Sequence, residues 1–148
     1  MSRVTYRDRQ VTLVGRRVSP DKPTKMVVKA GAYEITLDKI GGEAPSPIEY
    51  LLASYAGCLN IVGEIVAEEM KLKISDLKVE IAGVYNPSKL MTGVGERAGY
   101  KELSVKVFVK SNADLEVLNE WLRRIRERCP VEDNLTNPTP IKSEIVKL

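Results

Sequence analysis

Two cysteines, Cys58 and Cys129, are the residues of this chain best suited to nucleophilic chemistry. The chain contains no histidine, which excludes Cys–His and Ser–His–Asp nucleophiles and most zinc sites. Two cysteines alone cannot complete a thiolate zinc site or an iron–sulfur cluster. We therefore expect no metal site and no bound cofactor. A thiolate at either cysteine has to be stabilised by cationic side chains or by backbone dipoles.

Each cysteine also has a structural interpretation, which the residues alone leave open. Cys58 can be a small hydrophobic side chain in a helix contact, because free cysteine is often buried and inert. Cys129 can simply be the residue at which a helix ends. The two lie 71 positions apart and form no local Cys-x-x-Cys motif. Cytosolic cysteine pairs that do meet tend to be redox-active.

Cys58 lies in the middle of a segment with the pattern of a long helix. The start of this segment, Ser46–Glu49, combines an N-cap serine, a proline suited to the first helical position and a glutamate at capping-box spacing. Apolar residues then recur with helical spacing. The sequence predicts one helix over residues 47–70, about 36 Å long at 1.5 Å per residue. The small residues of Ala53–Gly57 would let another backbone approach closely.

The remaining segments carry strand patterns and one further helix. The predicted strands are 4–13 (ending near Gly15), 25–30 and 32–38 (a hairpin about Gly31), 77–85, 103–109 and 141–148. The second helix is capped by Asn112 or Asp114 and ends at Cys129–Pro130, whereas 86–99 and 131–139 are predicted to be loops. The order βββ–α–ββ–α–β predicts an α+β fold, because the strands come in adjacent runs.

Length and composition limit the class of protein. With 148 residues, we expect one domain over residues 1–148. The net charge of +3 is too small to favour a nucleic-acid partner. The first ten residues lack an apolar targeting core, and no apolar run is long enough for a membrane span. We expect a cytoplasmic protein that has neither a nucleic-acid nor a membrane partner.

Two segments together resemble the cysteine motifs of a known family. SPIEYLLASYAGC (46–58) and RCPVEDNLTNPTPI (128–141) are similar to the two motifs of the OsmC/Ohr family, the osmotically inducible protein C and organic hydroperoxide resistance proteins. The predicted element order matches as well, so the resemblance covers nearly the whole chain. It implies an OsmC-like fold with a long central helix. It also implies an intertwined homodimer whose active sites lie at the subunit interface.

The resemblance further implies a thiol-dependent peroxidase that prefers organic hydroperoxides. Cys58 is then the peroxidatic thiolate that becomes a sulfenic acid, and Cys129 resolves it as a disulfide. A cellular dithiol, with lipoyl groups as the family's best candidate, reduces that disulfide. In the family, an arginine just after the first strand activates the thiolate, and a glutamate at the start of the central helix partners this arginine. By this resemblance, Arg17 matches the arginine best, with Arg16 as the alternative, and Glu49 matches the glutamate.

This chain departs from the Ohr branch in one position. That branch places its glutamate ten residues before the first cysteine, where this chain has Ile48, and Glu49 is nine before Cys58. The departure favours a more divergent OsmC-like branch. It leaves open an alternative function, a non-catalytic small-molecule-binding or interaction protein on the same fold. It also leaves Glu49 with the alternative role of a capping-box residue.

Helix geometry and the residue types near the helix start add three expectations about the site. Nine residues separate Glu49 from Cys58, about 13.5 Å along the axis, and nine steps of about 100° place them on opposite faces. If Glu49 orients the arginine that activates Cys58, either the helix breaks between them or Glu49 serves the cysteine of the other subunit. The apolar run, in which Gly57 is the only obvious helix breaker, favours the second. Cys129 ends a helix, where the dipole disfavours a thiolate, and this suits a resolving role. Tyr55, with Leu51 and Leu52, should make the pocket apolar and favour bulky hydroperoxides over hydrogen peroxide.

Overall fold

A computed structural model describes residues 3–148 of the chain. It divides into two compact units, with the boundary between Tyr50 and Leu51. Its strands and helices form a mixed α+β structure, which confirms the predicted fold class. The prediction of one domain over residues 1–148 stays a prediction.

The first unit contains a three-stranded antiparallel sheet in the order β1-β2-β3. Its strands are β1 (Val14–Ser19), β2 (Lys22–Ala30) and β3 (Tyr33–Leu37). The hairpin predicted about Gly31 is confirmed. Gly31 has a φ of 62°, a conformation that glycine adopts at little cost in a tight turn.

The first predicted strand is wrong in its position. Residues 3–13 form neither helix nor strand, and β1 begins at Val14. The register explains this difference, because Val14 pairs with Lys29 and β2 ends one residue later at Ala30. Residues before Val14 therefore run past the end of β2, and a strand without a hydrogen-bonded neighbour is not stable. Arg16 and Arg17 consequently lie inside β1 and do not follow it.

A buried aspartate holds the loop between β3 and the long helix. Asp38 is 7% exposed and accepts hydrogen bonds from the Thr24 hydroxyl (2.7 Å) and the backbone N–H groups of Lys39 (2.8 Å) and Glu43 (2.9 Å). The Thr24 bond and the two backbone donors lower the pKa of Asp38 to about 2. The loop therefore stays fixed wherever this carboxyl is ionised.

The long helix α1 spans Pro47–Met70, as predicted. It begins within the first unit and continues through the second. By length and composition it could also cross a membrane. Its side chains Leu59, Val66 and Ala67 are instead buried within the second unit, which is the position of a core helix.

The rest of the second unit is a β-ribbon with three further helices. These elements are β4 (Ile74–Val84), α2 (Ser88–Thr92), β5 (Glu102–Ser111), α3 (Leu115–Arg128) and α4 (Pro130–Thr136). β4 and β5 pair antiparallel, with Leu77 opposite Val109 and Val79 opposite Val107. Alternate apolar side chains of both strands pack against the core, as the period-two pattern requires. The core itself joins α1 to Trp121, Ile125 and Cys129.

Three local predictions in this unit are wrong. The connection 86–99 includes the short helix α2, and most of the predicted loop 131–139 is the helix α4. α4 forms because Pro130 stands at its first turn and Cys129 acts as its N-cap. The predicted last strand 141–148 is neither helix nor strand, and Ile145 on it is 97% exposed. No strand among residues 3–148 pairs with that segment.

Trp121 offers a direct test of this packing. It is 2% exposed, and its indole N–H donates to the carbonyl of Gly63 at 2.9 Å. Trp121→Ala should lower the free energy of unfolding by about 3–5 kcal/mol, because a large buried ring leaves a cavity. Urea unfolding followed by circular dichroism measures the change. The control Leu115→Ala, at a position in the same helix that is 74% exposed, should change the free energy by no more than about 0.5 kcal/mol. Equal effects of the two substitutions would contradict the packing.

Candidate active site

The two cysteines meet inside the second unit. Cys58 lies in the middle of α1 and is half-buried, whereas Cys129 is 1% exposed. Their Sγ atoms are 2.9 Å apart, and both thiols are free. A disulfide bond is about 2.05 Å long, so a movement of roughly 1 Å would join the two sulfurs. The geometry therefore makes the pair capable of reversible thiol–disulfide chemistry.

Cys129 is held by two helices at once. It terminates α3 and is also the N-cap of α4. Its Sγ accepts a hydrogen bond from the backbone N–H of Glu132 at 3.4 Å and donates one to Cys58 Sγ. The end of α3 is thus only one part of the surroundings of Cys129, because the first turn of α4 directs an N–H group at the same sulfur.

Burial decides the protonation of Cys129. Removal from water and the hydrogen bond to Cys58 raise the pKa of the Cys129 thiol, although the N–H groups of Glu132 and Val131 lower it. The net direction is upward from 9.0, so Cys129 is a thiol at neutral pH. A thiol is a poorer nucleophile than a thiolate, and Cys129 is therefore poorly suited to react first.

A polar cluster that the sequence analysis missed lies beside Cys129. Glu132 is 8% exposed. Its Oε1 atom lies 2.8 Å from both Nε and Nη2 of Arg126, so the two side chains form a hydrogen-bonded ion pair. The neighbouring Tyr55 is 5% exposed. Its burial and the negative charge of Glu132 raise the pKa of the Tyr55 hydroxyl to about 12. Tyr55 was expected as an apolar pocket wall only, and Arg126 and Glu132 were not expected at the site at all.

A sequence signal for Glu132 does exist. The letters CPVE at 129–132 repeat the spacing of SPIE at 46–49, with a capping residue, a proline and a glutamate three positions after the cap. This pattern predicts a second helix start, which α4 confirms. The pattern alone cannot show that the second glutamate is buried.

The same cluster forms the polar part of a cavity of about 560 Å³ in the second unit. Leu51, Leu59, Leu103, Val105, Val107, Leu122 and Leu135 form its apolar walls. Tyr55, Arg126 and Glu132 also line it, whereas Leu52 is not among its described lining residues. The charged residues Arg97, Lys101 and Glu102 line it as well. The cavity is large enough for a compact organic molecule and combines apolar walls with a few polar groups.

The predicted activating pair is not formed in the described chain. Glu49 is exposed and closes the capping box of α1. Its Oε1 atom accepts hydrogen bonds from the hydroxyl (2.7 Å) and the backbone N–H (3.1 Å) of Ser46. In return, the backbone N–H of Glu49 donates to Ser46 Oγ at 3.3 Å. These bonds from Ser46 lower the pKa of Glu49. Arg17 and Arg16 are exposed on β1 and form no ion pair within residues 3–148. Arg17 and Glu49 belong to the first unit, whereas the cysteines belong to the second.

Comparisons with known proteins place this site in context. A family model described as "OsmC-like protein" matches residues 40–144. A sequence comparison with curated proteins gives no significant match. An OsmC-like protein from Mycoplasma pneumoniae has a similar fold, with a TM-score of 0.76, 18% identity and coverage of 89% of this chain and 91% of that chain.

Two solved structures described as organic hydroperoxide resistance proteins are also similar. OhrB of Bacillus subtilis has a TM-score of 0.56 and 17% identity, covering 87% of this chain and 92% of its own. A Legionella pneumophila protein has a TM-score of 0.60 and 18% identity, covering 86% of this chain and 91% of its own. At these identities the likeness is one of fold.

The raised pKa of Cys129 can be tested without any substrate. Iodoacetamide reacts with thiolates, so the rate at Cys129 in the reduced protein should rise with pH through a midpoint above 9.0. Peptide mass spectrometry follows each cysteine separately, and at pH 7 Cys58 should be modified first. In Cys58→Ala the midpoint should fall, because the sulfur that accepts the hydrogen bond from Cys129 is lost. A midpoint at or below 9.0 in the unsubstituted protein would contradict the assignment.

Proposed function

Because the chain belongs to the OsmC-like protein family, we propose that it is a thiol-dependent peroxidase that reduces organic hydroperoxides in the cytoplasm. The observation that carries the proposal is the 2.9 Å contact between Cys58 and Cys129 across 71 positions of sequence. Similar folds in proteins described as organic hydroperoxide resistance proteins support a role in peroxide stress. The leucine and valine walls of the cavity that Glu132 lines support a preference for bulky organic substrates.

In the first step the Cys58 thiolate attacks the terminal oxygen of the hydroperoxide. A sulfur–oxygen bond forms as the oxygen–oxygen bond breaks, and the alkoxide leaves and takes up a proton to become the alcohol. Cys58 becomes a sulfenic acid and has lost two electrons to the peroxide. The half-buried Cys58 suits this step better than Cys129, which is 1% exposed and has a raised pKa.

In the second step Cys129 attacks the sulfur of the sulfenic acid. The sulfur–sulfur bond forms, hydroxide leaves, and the proton of the Cys129 thiol converts it to water. The short distance between the sulfurs favours this condensation over further oxidation of Cys58. A dithiol, for which a lipoyl group is the candidate, then reduces the disulfide by two thiol–disulfide exchanges and becomes a disulfide itself.

The proposal includes a homodimer that completes each site. Arg17, or alternatively Arg16, supplies the cation for the thiolate, and Glu49 of one subunit serves Cys58 of the other. Two segments that are neither helix nor strand, 3–13 and 137–148, support this assembly. They have no strand partner within the described chain, and Tyr6 and Ile145 on them are 81% and 97% exposed. Such segments bury their side chains and backbone groups by adding to sheet edges of a second copy.

Thiol counting tests the peroxidase. Cumene hydroperoxide in excess should remove both free thiols of the reduced protein and leave one intramolecular disulfide, and it should act faster than hydrogen peroxide. Cys129→Ser should form the sulfenic acid at Cys58 without an intramolecular disulfide, and Cys58→Ser should not consume the peroxide. Mass spectrometry and thiol titration report each result. Two unreacted thiols at excess peroxide would favour the alternative function, a non-catalytic binding protein.

A mixture of variants tests the shared site. Glu49→Gln should lower activity as a homodimer, although glutamine still fits a capping box and should leave stability within about 0.5 kcal/mol. Cys58→Ser should be inactive. Heterodimers of the two contain one site with both native residues, so activity should return after subunit exchange. Ser46→Ala is the control, since it removes the cap at a cost of about 1 kcal/mol and should keep activity. A monomer by light scattering, or no recovery after verified exchange, would place the site within one chain.

A further inference from the structure

Glu132 has a buried carboxylate oxygen that the fold leaves unused. Both nitrogens of Arg126 that bind this carboxylate contact Oε1. The other oxygen, Oε2, is buried, and no donor within residues 3–148 meets hydrogen-bond geometry at it. The Tyr55 hydroxyl lies close enough to the same carboxylate for a hydrogen bond with Glu132 to contribute to the raised pKa of Tyr55. A buried carboxylate oxygen without a donor is costly, because the lost hydration is not replaced. Such an atom calls for a partner from outside the chain, either a water molecule or a ligand.

The position of Glu132 shows where such a donor would come from. The residue lines the cavity of about 560 Å³ beside Tyr55 and Arg126. Its own backbone N–H donates to Cys129 Sγ at 3.4 Å, and that sulfur contacts Cys58. One residue thus links the interior of the cavity with the pair of thiols. A ligand bound at its carboxylate would contact the residue whose backbone N–H holds the Cys129 sulfur.

The chemistry of the cavity defines the class of ligand. A carboxylate accepts hydrogen bonds, so its complement is a group with an O–H or N–H donor, and the proposed substrate class supplies an O–H group. The leucine and valine walls favour a compact apolar body attached to that group. Rotation about the last side-chain torsion of glutamate is soft, which allows Oε2 to turn toward an arriving donor while Arg126 keeps its contact with the carboxylate.

We infer that Glu132, held by Arg126, is a substrate-binding residue that accepts a hydrogen bond from the O–H group of an organic hydroperoxide, and of the alcohol formed from it. This inference rests on the proposed function for the identity of the substrate. The hydrogen bond fixes the hydroperoxide by its terminal oxygen, which is the atom that Cys58 must reach. Glu132 thereby differs from Glu49, whose carboxylate is occupied by Ser46.

Binding of the alcohol tests the inference without any turnover. The probes are 2-phenyl-2-propanol, the alcohol derived from cumene hydroperoxide, and its methyl ether, which keeps the apolar body and lacks the O–H group. Isothermal titration calorimetry is done on reduced full-length Cys58→Ser protein. The alcohol should bind at least tenfold more tightly than the ether. Glu132→Gln should remove most of that difference, because a charged acceptor forms a hydrogen bond roughly twice as strong as a neutral one, while affinity for the ether stays unchanged.

Controls separate this role from a structural one. Glu127→Gln, which removes an exposed carboxylate of α3 that pairs with Arg123, should leave the affinities for both probes unchanged. A merely structural Glu132 predicts that Glu132→Gln weakens both probes equally, and this outcome would overturn the inference. So would equal binding of alcohol and ether to the protein with Glu132 intact, a comparison that needs no Glu132 variant to fold. If peroxide leaves the thiols unoxidised and the alcohol still binds through Glu132, the peroxidase fails and the binding site stands.

Discussion

The close approach of α1 and α3 is the contact on which the second unit depends. Gly63 on α1 leaves room for the indole of Trp121, since an added Cβ would lie 3.1 Å from Trp121 and 3.5 Å from Ile125. The indole N–H binds the carbonyl of Gly63, so the same contact is both apolar and directional. Ile125 is one helical turn after Trp121, and Cys129 one turn after Ile125. The contact therefore places Cys129 on the face of α3 that meets α1, where Cys58 lies.

The two sulfurs are distinguished by their surroundings, although their residue type is the same. Cys58 lies inside a continuous helix and is half-buried. Cys129 is an extended residue between two helices, with a ψ of 113°, and almost no part of it reaches solvent. Burial raises the pKa of Cys129, and the first turn of α4 opposes this only in part. The backbone break at Cys129–Pro130 thus creates a protonated thiol next to a more accessible one, which is the asymmetry that a two-cysteine cycle requires.

The elements that the sequence predicts correctly are those defined by their own residues. The cap Ser46, the proline after it and the apolar spacing determine α1 locally, and alternation determines the pairing of β4 with β5. The terminal strands fail because a strand is defined by its neighbour: residues 3–13 run past the end of β2, and 141–148 have no described partner. At the site, the two cysteine motifs located the thiols, whereas the burial of Glu132 depends on how α4 packs and has no sequence period.

Glu49 and Glu132 show how one local pattern yields two chemical environments. Each follows a cap and a proline at the start of a helix. Glu49 is exposed and reaches back to the Ser46 N–H and hydroxyl, so both partners of its cap are satisfied. At α4 the capping atom is the Cys129 sulfur, which takes the Glu132 N–H, and the Glu132 side chain binds Arg126 instead. The same local pattern thus places Glu49 in the cap of α1 and Glu132 in the wall of a cavity, beside Tyr55 and Arg126.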